Sequence, residues 1–220
     1  MSTRFILVRH GETQSSFERR FAGSTDVPLT DHGREQAALV ARRLRPVRID
    51  VMYSSPLGRC LETAAAITGT TGRKPTVAED IRECSFGDWE NLKLADVLSK
   101  WPDGMRSWLA DESVSPPNGE SWQELGVRVE RWFDEAAKRY DGRTVLAVTH
   151  GGPIIWLGRH LTAAPREAMG VFMIDTASIS VIQIADGRRR ILTWNDVSHM
   201  RDPLLESPAV AAADYSRASQ

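Results

Sequence analysis

Three short runs of branched apolar residues, "RFILV", "IDVMYSS" and "TVLAVTH", restrict the possible folds of this chain more than any other feature. Each is continuous rather than alternating, and each is too short for a buried helix. This is the pattern of a strand covered on both faces. Segments of helical periodicity lie between them. In "LTDHGREQAALVARRLR", Thr30 is placed to cap a helix, and Ala37, Val40, Ala41 and Leu44 form an apolar stripe. In "SPLGRCLETAAAIT", Ser55 is expected as the cap and Pro56 at the first helical position, with the helix reaching about Thr68. "PTVAE" reads as another short strand. "SWQE" pairs Ser121 with Glu124 in a capping box that opens a helix to about Arg139, and "GGPIIWLGRHL" starts one more. "GVFMI", "SISVIQIA" and "RRRILTWN" read as closing strands. Strands alternating with helices define an α/β fold with a largely parallel sheet.

The length of 220 residues fits one domain, residues 1–202, with a loose, unpatterned tail at 203–220. The segment 81–119 is less regular, punctuated by "GDWENL", "KWPDG" and "SPPNG". A net charge of −1 gives no electrostatic basis for binding nucleic acid or an anionic membrane, so any anion site must be local. No apolar run approaches the ~20 residues of a spanning helix, and "FILV" is too short for a signal-peptide core. Cys60 and Cys84 suggest neither a disulfide framework nor a zinc site, and a reducing cytoplasm is the expected compartment.

Three places share one design: a buried strand ends, a charged or titratable residue follows, and a turn or helix begins. They are "FILV-RHG", "VMYSSPLGR" and "LAVT-HGGP". Ligands of open α/β sheets bind at the carboxyl ends of strands, so the three ends can meet in one crevice. They would deliver Arg9, His10, Arg59 and His150. Arg9 and His10 would point to opposite faces within a strand, so the chain must leave the strand here, and Gly11 permits the turn. Two arginines and two histidines around one point suit a phosphoryl group, because guanidinium forks match its oxygens. Arg59 falls in the first turn of its helix, and Gly151 and Gly152 bring backbone amides to another helix start, where anions are favoured. Taken singly, a strand-end arginine is usually a solvated rim residue and a lone histidine usually structural. The repetition at equivalent positions carries the argument. A metal is disfavoured, since Arg9 would repel a cation and "HG…HGG" lacks compact ligand spacing. His32, His160 and His199 have weaker contexts.

The series "LVRHGET", "AGSTDVPLTDHG", "SSPLGRCLETA", "ECSFGDWE", "PNGES" and "VTHGG" resembles the histidine phosphatase superfamily, the phosphoglycerate mutase-like fold, over residues 4–198. The resemblance implies a three-layer α/β/α sandwich on a mixed but mainly parallel sheet. It implies that His10 is a nucleophile whose Nε2 attacks phosphorus to give a phosphohistidine, with Arg9, Arg59 and His150 holding the equatorial oxygens. The acid that protonates the leaving group maps to Glu83, with Asp80 and Glu79 as alternatives. Ser16 stands where many relatives carry a phosphate-binding asparagine. Ala22 and Gly23 match a loop offering amides to substrate, and Gly151 belongs with His150. Phe21, Trp89, Trp108 and Trp122 would either line the pocket or pack. No cofactor and no metal are implied, the partner is a small phosphorylated substrate, and a homodimer is common among relatives.

Within that superfamily the sequence reads as a phosphatase. Phe86 occupies the place of a mutase tyrosine, "GDWENLKLADV" lacks "GLNK", and Arg106 stands alone where mutases carry paired arginines. "GSTDVPLTDHG" resembles both the broad-specificity phosphatases and the α-ribazole-5′-phosphate phosphatases. The lower-ranked alternatives are a cofactor-dependent phosphoglycerate mutase and a phospho-ligand binding module without turnover.

Overall fold

A computed structural model describes residues 2–200, and the tail expected at 203–220 lies outside that range. Strand β1 (Ser2–Arg9) is followed by the one-turn helix α1 (Gln14–Phe17), helix α2 (Asp31–Leu44), strand β2 (Val51–Ser54) and helix α3 (Gly58–Thr71). Next come strand β3 (Thr76–Val77), helices α4 (Leu94–Lys100), α5 (Pro102–Ala110) and α6 (Trp122–Arg139), and strand β4 (Thr144–Thr149). Helix α7 (Gly151–Thr162) and strands β5 (Ile179–Ala185) and β6 (Arg188–Asp196) complete the series.

The six strands form one sheet in the order β3-β2-β4-β1-β5-β6. The first four are mutually parallel, while β5 runs antiparallel to β1, and β6 to β5. This is the mixed, mainly parallel sheet that the family resemblance implies. Alternation along β1 sorts its side chains between two cores. Phe5 and Leu7 pack with residues of α6 and α7, whereas Ile6 and Val8 pack with residues of α2 and α3. Both faces are covered, which is why β1 and β4 read as unbroken apolar runs.

The helix caps arise locally. Thr30 accepts the Gly33 amide at 2.9 Å, and Ser121 and Glu124 form the expected capping box on α6. Two expectations fail. Ser55 does not cap α3: the helix begins at Gly58 with Leu57 at the N-cap, and Asp26 from a distant loop accepts the Gly58 amide at 2.8 Å. "GVFMI" forms no strand. A 3₁₀ turn spans Arg166–Val171, and the chain then crosses the end of the sheet. The Met173 and Ile174 carbonyls accept from the Trp194 indole and the Arg9 guanidinium rather than from a strand.

Candidate active site

Strand register builds the site. Arg9 of β1 is level with Thr149 of β4, so the next residues, His10 and His150, emerge side by side, and the His10 amide donates to Thr149 O at 3.0 Å. Their rings meet edge to face with centroids 5.1 Å apart. The end of β2 lies beside them, with the Ser55 amide bonded to Val148 O at 2.9 Å. The chain leaves β1 here as expected, but Gly11 is required for a different reason from a turn. A Cβ on Gly11 would lie 2.3 Å from Gly33 O, so the glycine lets this loop touch the start of α2. The Gly11 amide donates to Thr63 Oγ1 of α3, and Ala177 N donates to His10 O at 3.0 Å.

Hydrogen-bond partners fix both imidazole tautomers. His10 Nδ1 lies 2.7 Å from Gly11 O; a carbonyl only accepts, so the proton is on Nδ1 and the lone pair on Nε2. His150 is reversed. Its Nδ1 accepts from Arg59 Nε at 3.3 Å, which leaves Nε2–H to donate to Ser55 Oγ at 2.7 Å. Burial, reinforced by Arg59 and Arg9, holds the His10 imidazole well below its ordinary pKa. Burial and the same arginines, with His10 itself, do so for His150. Both are therefore neutral near pH 7.

Arg59 is wholly buried in the first turn of α3. Besides reaching His150, it donates through Nη1 to Thr25 O at 2.9 Å and through Nη2 to Gly23 O at 2.7 Å. Each terminal nitrogen thus retains one further N–H. Arg9 donates through Nη1 to Ile174 O, and its guanidinium lies against Gly151, with Cζ 3.8 Å from where a Cβ on that residue would be.

Glu83 reaches the same place from the far side. Its Oε1 accepts the Cys84 amide at 2.9 Å and its Oε2 accepts the Gly152 amide at 3.3 Å, at the start of α7 beside His150. A Cβ on Gly152 would lie 2.2 Å from Glu83 Oε1, so the glycine admits the carboxylate. Asp80, by contrast, is engaged with Arg131 in an ion pair of 2.5 Å.

The remaining expected residues are placed less directly. Ala22 and Gly23 form the loop against Arg59, presenting the Gly23 carbonyl to it, while the Ala22 carbonyl accepts from Thr25 N. Ser16 sits on α1, where its hydroxyl accepts the Thr13 amide and donates to Thr13 O, each at 2.9 Å. Trp89, Trp108 and Trp122 are buried in the core, and half-buried Phe21 and Phe86 rest on them, 4.9 Å apart. His199 lies one step away, its Nε2 3.1 Å from Ala177 O. Burial pushes the Cys60 and Cys84 thiols up, so neither is a thiolate. Among the described residues, no three His, Cys, Asp or Glu side chains converge as metal ligands.

Sequence reasoning missed three supporting residues, Thr63, Glu90 and Arg128, and gave Ser55 a cap's role where it partners His150 instead. Glu90 accepts from Thr25 Oγ1, from the Thr25 and Ser24 amides at 2.8 Å and from Phe86 N at 3.1 Å, tying the Arg59 loop to the segment that follows Glu83. Burial acts to raise its pKa, but these hydrogen bonds outweigh burial and lower it. Arg128 offers the one legible signal, as a charge buried within the apolar face of α6.

The model of the histidine phosphatase superfamily (branch 1) matches residues 5–197. A bifunctional protein of Mycobacterium tuberculosis is 34% identical over 200 residues, which cover 90% of this chain and 55% of that protein. The chain thus spans about half the length of that curated relative. Phosphoserine phosphatase 1 of Hydrogenobacter thermophilus is 31% identical over 205 residues, covering 93% of this chain and 97% of the relative. Among solved structures, the α-ribazole phosphatase of Shigella flexneri superposes with a TM-score of 0.79 at 29% identity, covering 88% of this chain and 96% of that one.

Proposed function

The chain belongs to branch 1 of the histidine phosphatase superfamily, and from that premise we propose that it is a phosphomonoesterase acting on small phosphorylated metabolites through a phosphohistidine at His10. The observation that carries this reading is the His10 tautomer. Gly11 O holds the Nδ1 proton, which turns a neutral, unprotonated Nε2 toward the arginine-lined end of the sheet. Nε2 attacks phosphorus, and positive charge growing on the ring is shared with the Gly11 carbonyl through Nδ1–H. Arg9 and the spare N–H groups of Arg59 take the equatorial oxygens, where charge must be stabilised during transfer. His150 aims Arg59 through Nδ1 and contributes its own Nε2–H by exchanging Ser55 for a phosphate oxygen.

The ester bond breaks as the N–P bond forms, and the leaving oxygen takes a proton from Glu83. The resulting carboxylate then removes a proton from water. That water attacks phosphorus, breaking the N–P bond, releasing inorganic phosphate and returning the proton to Glu83. Hydrolysis is favoured over mutase chemistry because the second cation site a bisphosphate needs is missing where mutases place it. Phe86 packs against Phe21 and Trp108, and Arg106 pairs with Asp103 on the exposed face of α5. Relatives with names as different as phosphoserine and α-ribazole phosphatase support the phosphoryl group, rather than one alcohol, as the shared determinant. Free, buried Cys60 and Cys84 suit a reducing compartment, the cytoplasm. The test is release of phosphate from p-nitrophenyl phosphate and a panel of phosphorylated metabolites that includes 3-phosphoglycerate. Wild type should hydrolyse them and His10→Ala should not; transfer to phosphoglycerate instead of water would overturn the phosphatase reading.

A further inference from the structure

We propose that Arg128 is a positioning residue for the reaction, holding Glu83 at the acid's place by gripping the backbone that carries it; this rests on the reading of Glu83 as the general acid. Arg128 lies on the buried face of α6, only 7% exposed, and all five of its N–H groups are occupied. Nε donates to Glu120 Oε1 at 2.7 Å and Nη2 to Glu120 Oε2 at 2.8 Å, a two-pronged pairing that neutralises the buried charge. The other three donors go to the backbone of the acid's own segment. Nη1 donates to Asp80 O at 2.8 Å and Arg82 O at 2.7 Å, and Nη2 to Glu83 O at 3.0 Å. Glu120 completes the grip by accepting the Ser85 amide at 3.3 Å and giving its own amide to Ser85 O at 2.7 Å.

Residues 80–85 contain only a 3₁₀ turn and belong to no strand or α-helix; apart from Arg128 and Glu120, their carbonyls are held by Thr149 of β4, whose hydroxyl donates to Ile81 O at 2.6 Å. Arg128 is the side chain that holds the carbonyls of Arg82 and of Glu83 itself, and so sets where the Glu83 side chain begins, while Gly152 and Cys84 set where it ends. Lysine cannot replace it. An ammonium group has three donors and no planar fork, so it cannot hold the Glu120 carboxylate and three carbonyls at once. Arg82, 3.6 Å from Glu120, is too exposed to inherit the task.

A proton donor matters most when the leaving group is a poor one. The test compares kcat/KM for glycerol 2-phosphate, whose alkoxide needs the proton, with that for p-nitrophenyl phosphate, whose phenolate leaves without it. For Arg128→Lys the alkyl ester should lose about 100-fold while the aryl ester changes little, the cost of a small misplacement of a catalytic group. An equal loss on both esters, or no loss on either, would overturn the proposal, because a purely structural role does not distinguish leaving groups. Glu120→Gln provides a second variant should Arg128→Lys fail to fold, and the same divergence is expected of it. Glu83→Gln, measured alongside, separates the two claims. Divergence in Glu83→Gln but not in the Arg128 and Glu120 variants rejects the positioning role alone. No divergence in Glu83→Gln rejects the acid itself, and the positioning role with it.

Discussion

His10 and His150 occupy matching positions at the ends of neighbouring strands, yet their hydrogen bonds give them opposite tautomers and so opposite tasks. The Nδ1 proton of His10 goes to a carbonyl and its Nε2 is left as a base, while His150 spends Nδ1 on orienting Arg59. Burial, with Arg59 and Arg9 behind it, lowers the His10 pKa, so this imidazole, the nucleophile we propose, stays unprotonated on the acid side of neutrality. The acid limb of kcat/KM due to His10, corrected for ionisation of the substrate, should therefore lie below the free imidazole value of about 6.5. A pH–rate profile with its limb at or above that value would contradict the assignment. Arg59→Lys should reduce kcat by about 100-fold, as for loss of an oxyanion donor, since lysine cannot keep three internal hydrogen bonds and still face phosphate. Steady-state kinetics with p-nitrophenyl phosphate would show this.

At the scale of elements, the site depends on contacts between segments far apart in sequence. Gly152→Ala would place a methyl carbon 2.2 Å from Glu83 Oε1 and push the carboxyl group aside, and it should cost about 10- to 100-fold in kcat/KM for alkyl phosphates with the melting temperature little changed. Glu90→Gln would turn an amide NH₂ toward hydroxyl and amide donors of Ser24, Thr25 or Phe86. A loss of about 2 kcal/mol in urea unfolding is expected, together with a raised KM, because the loop beside Arg59 is no longer tied down. The same distinction decides what could be read from the sequence. Caps such as Thr30 and the Ser121–Glu124 box are closed within four residues, so their residue types announce them. The convergence of Arg9, His10, Arg59 and His150 was legible too, since each lies at or soon after the end of a strand of evident apolar character. Ser55 misled because its hydroxyl serves a histidine 95 positions away, while the α3 amide is held by Asp26. "GVFMI" misled because its carbonyls serve side chains from elsewhere, Trp194 and Arg9, and strand propensity does not register such partners. Glu90 and Arg128 gave little warning, as their partners are mostly backbone atoms of other segments.

For the whole molecule, the two-sided sheet fixes His10 at the end of its inner strand β1, beside the loops that follow β2 and β4 and the segment that carries Glu83. No helix among the described residues is long and apolar enough to cross a membrane. The buried imidazoles have a consequence for stability as well as for chemistry. Both have lowered pKa values in the folded chain, so below about pH 6.5 the unfolded chain binds protons that the folded one refuses. Stability should therefore be fully present above that pH and decline as the pH falls beneath it. The lowered carboxyl of Glu90 adds a second loss at more acid pH, as that group protonates. Urea unfolding at pH 7.5 and 5.0 should show the decline, and His150→Asn should reduce its slope; an unchanged slope would place the proton uptake elsewhere.

The central claim is a covalent phosphate on His10, and rapid-quench trapping tests it most directly. Enzyme mixed with p-nitrophenyl phosphate, quenched in alkali within milliseconds and mapped by mass spectrometry should carry an acid-labile phosphoryl group on His10, absent from His10→Ala. A phosphoryl group on another residue, or an equal amount of phosphoenzyme in His10→Ala, would contradict it.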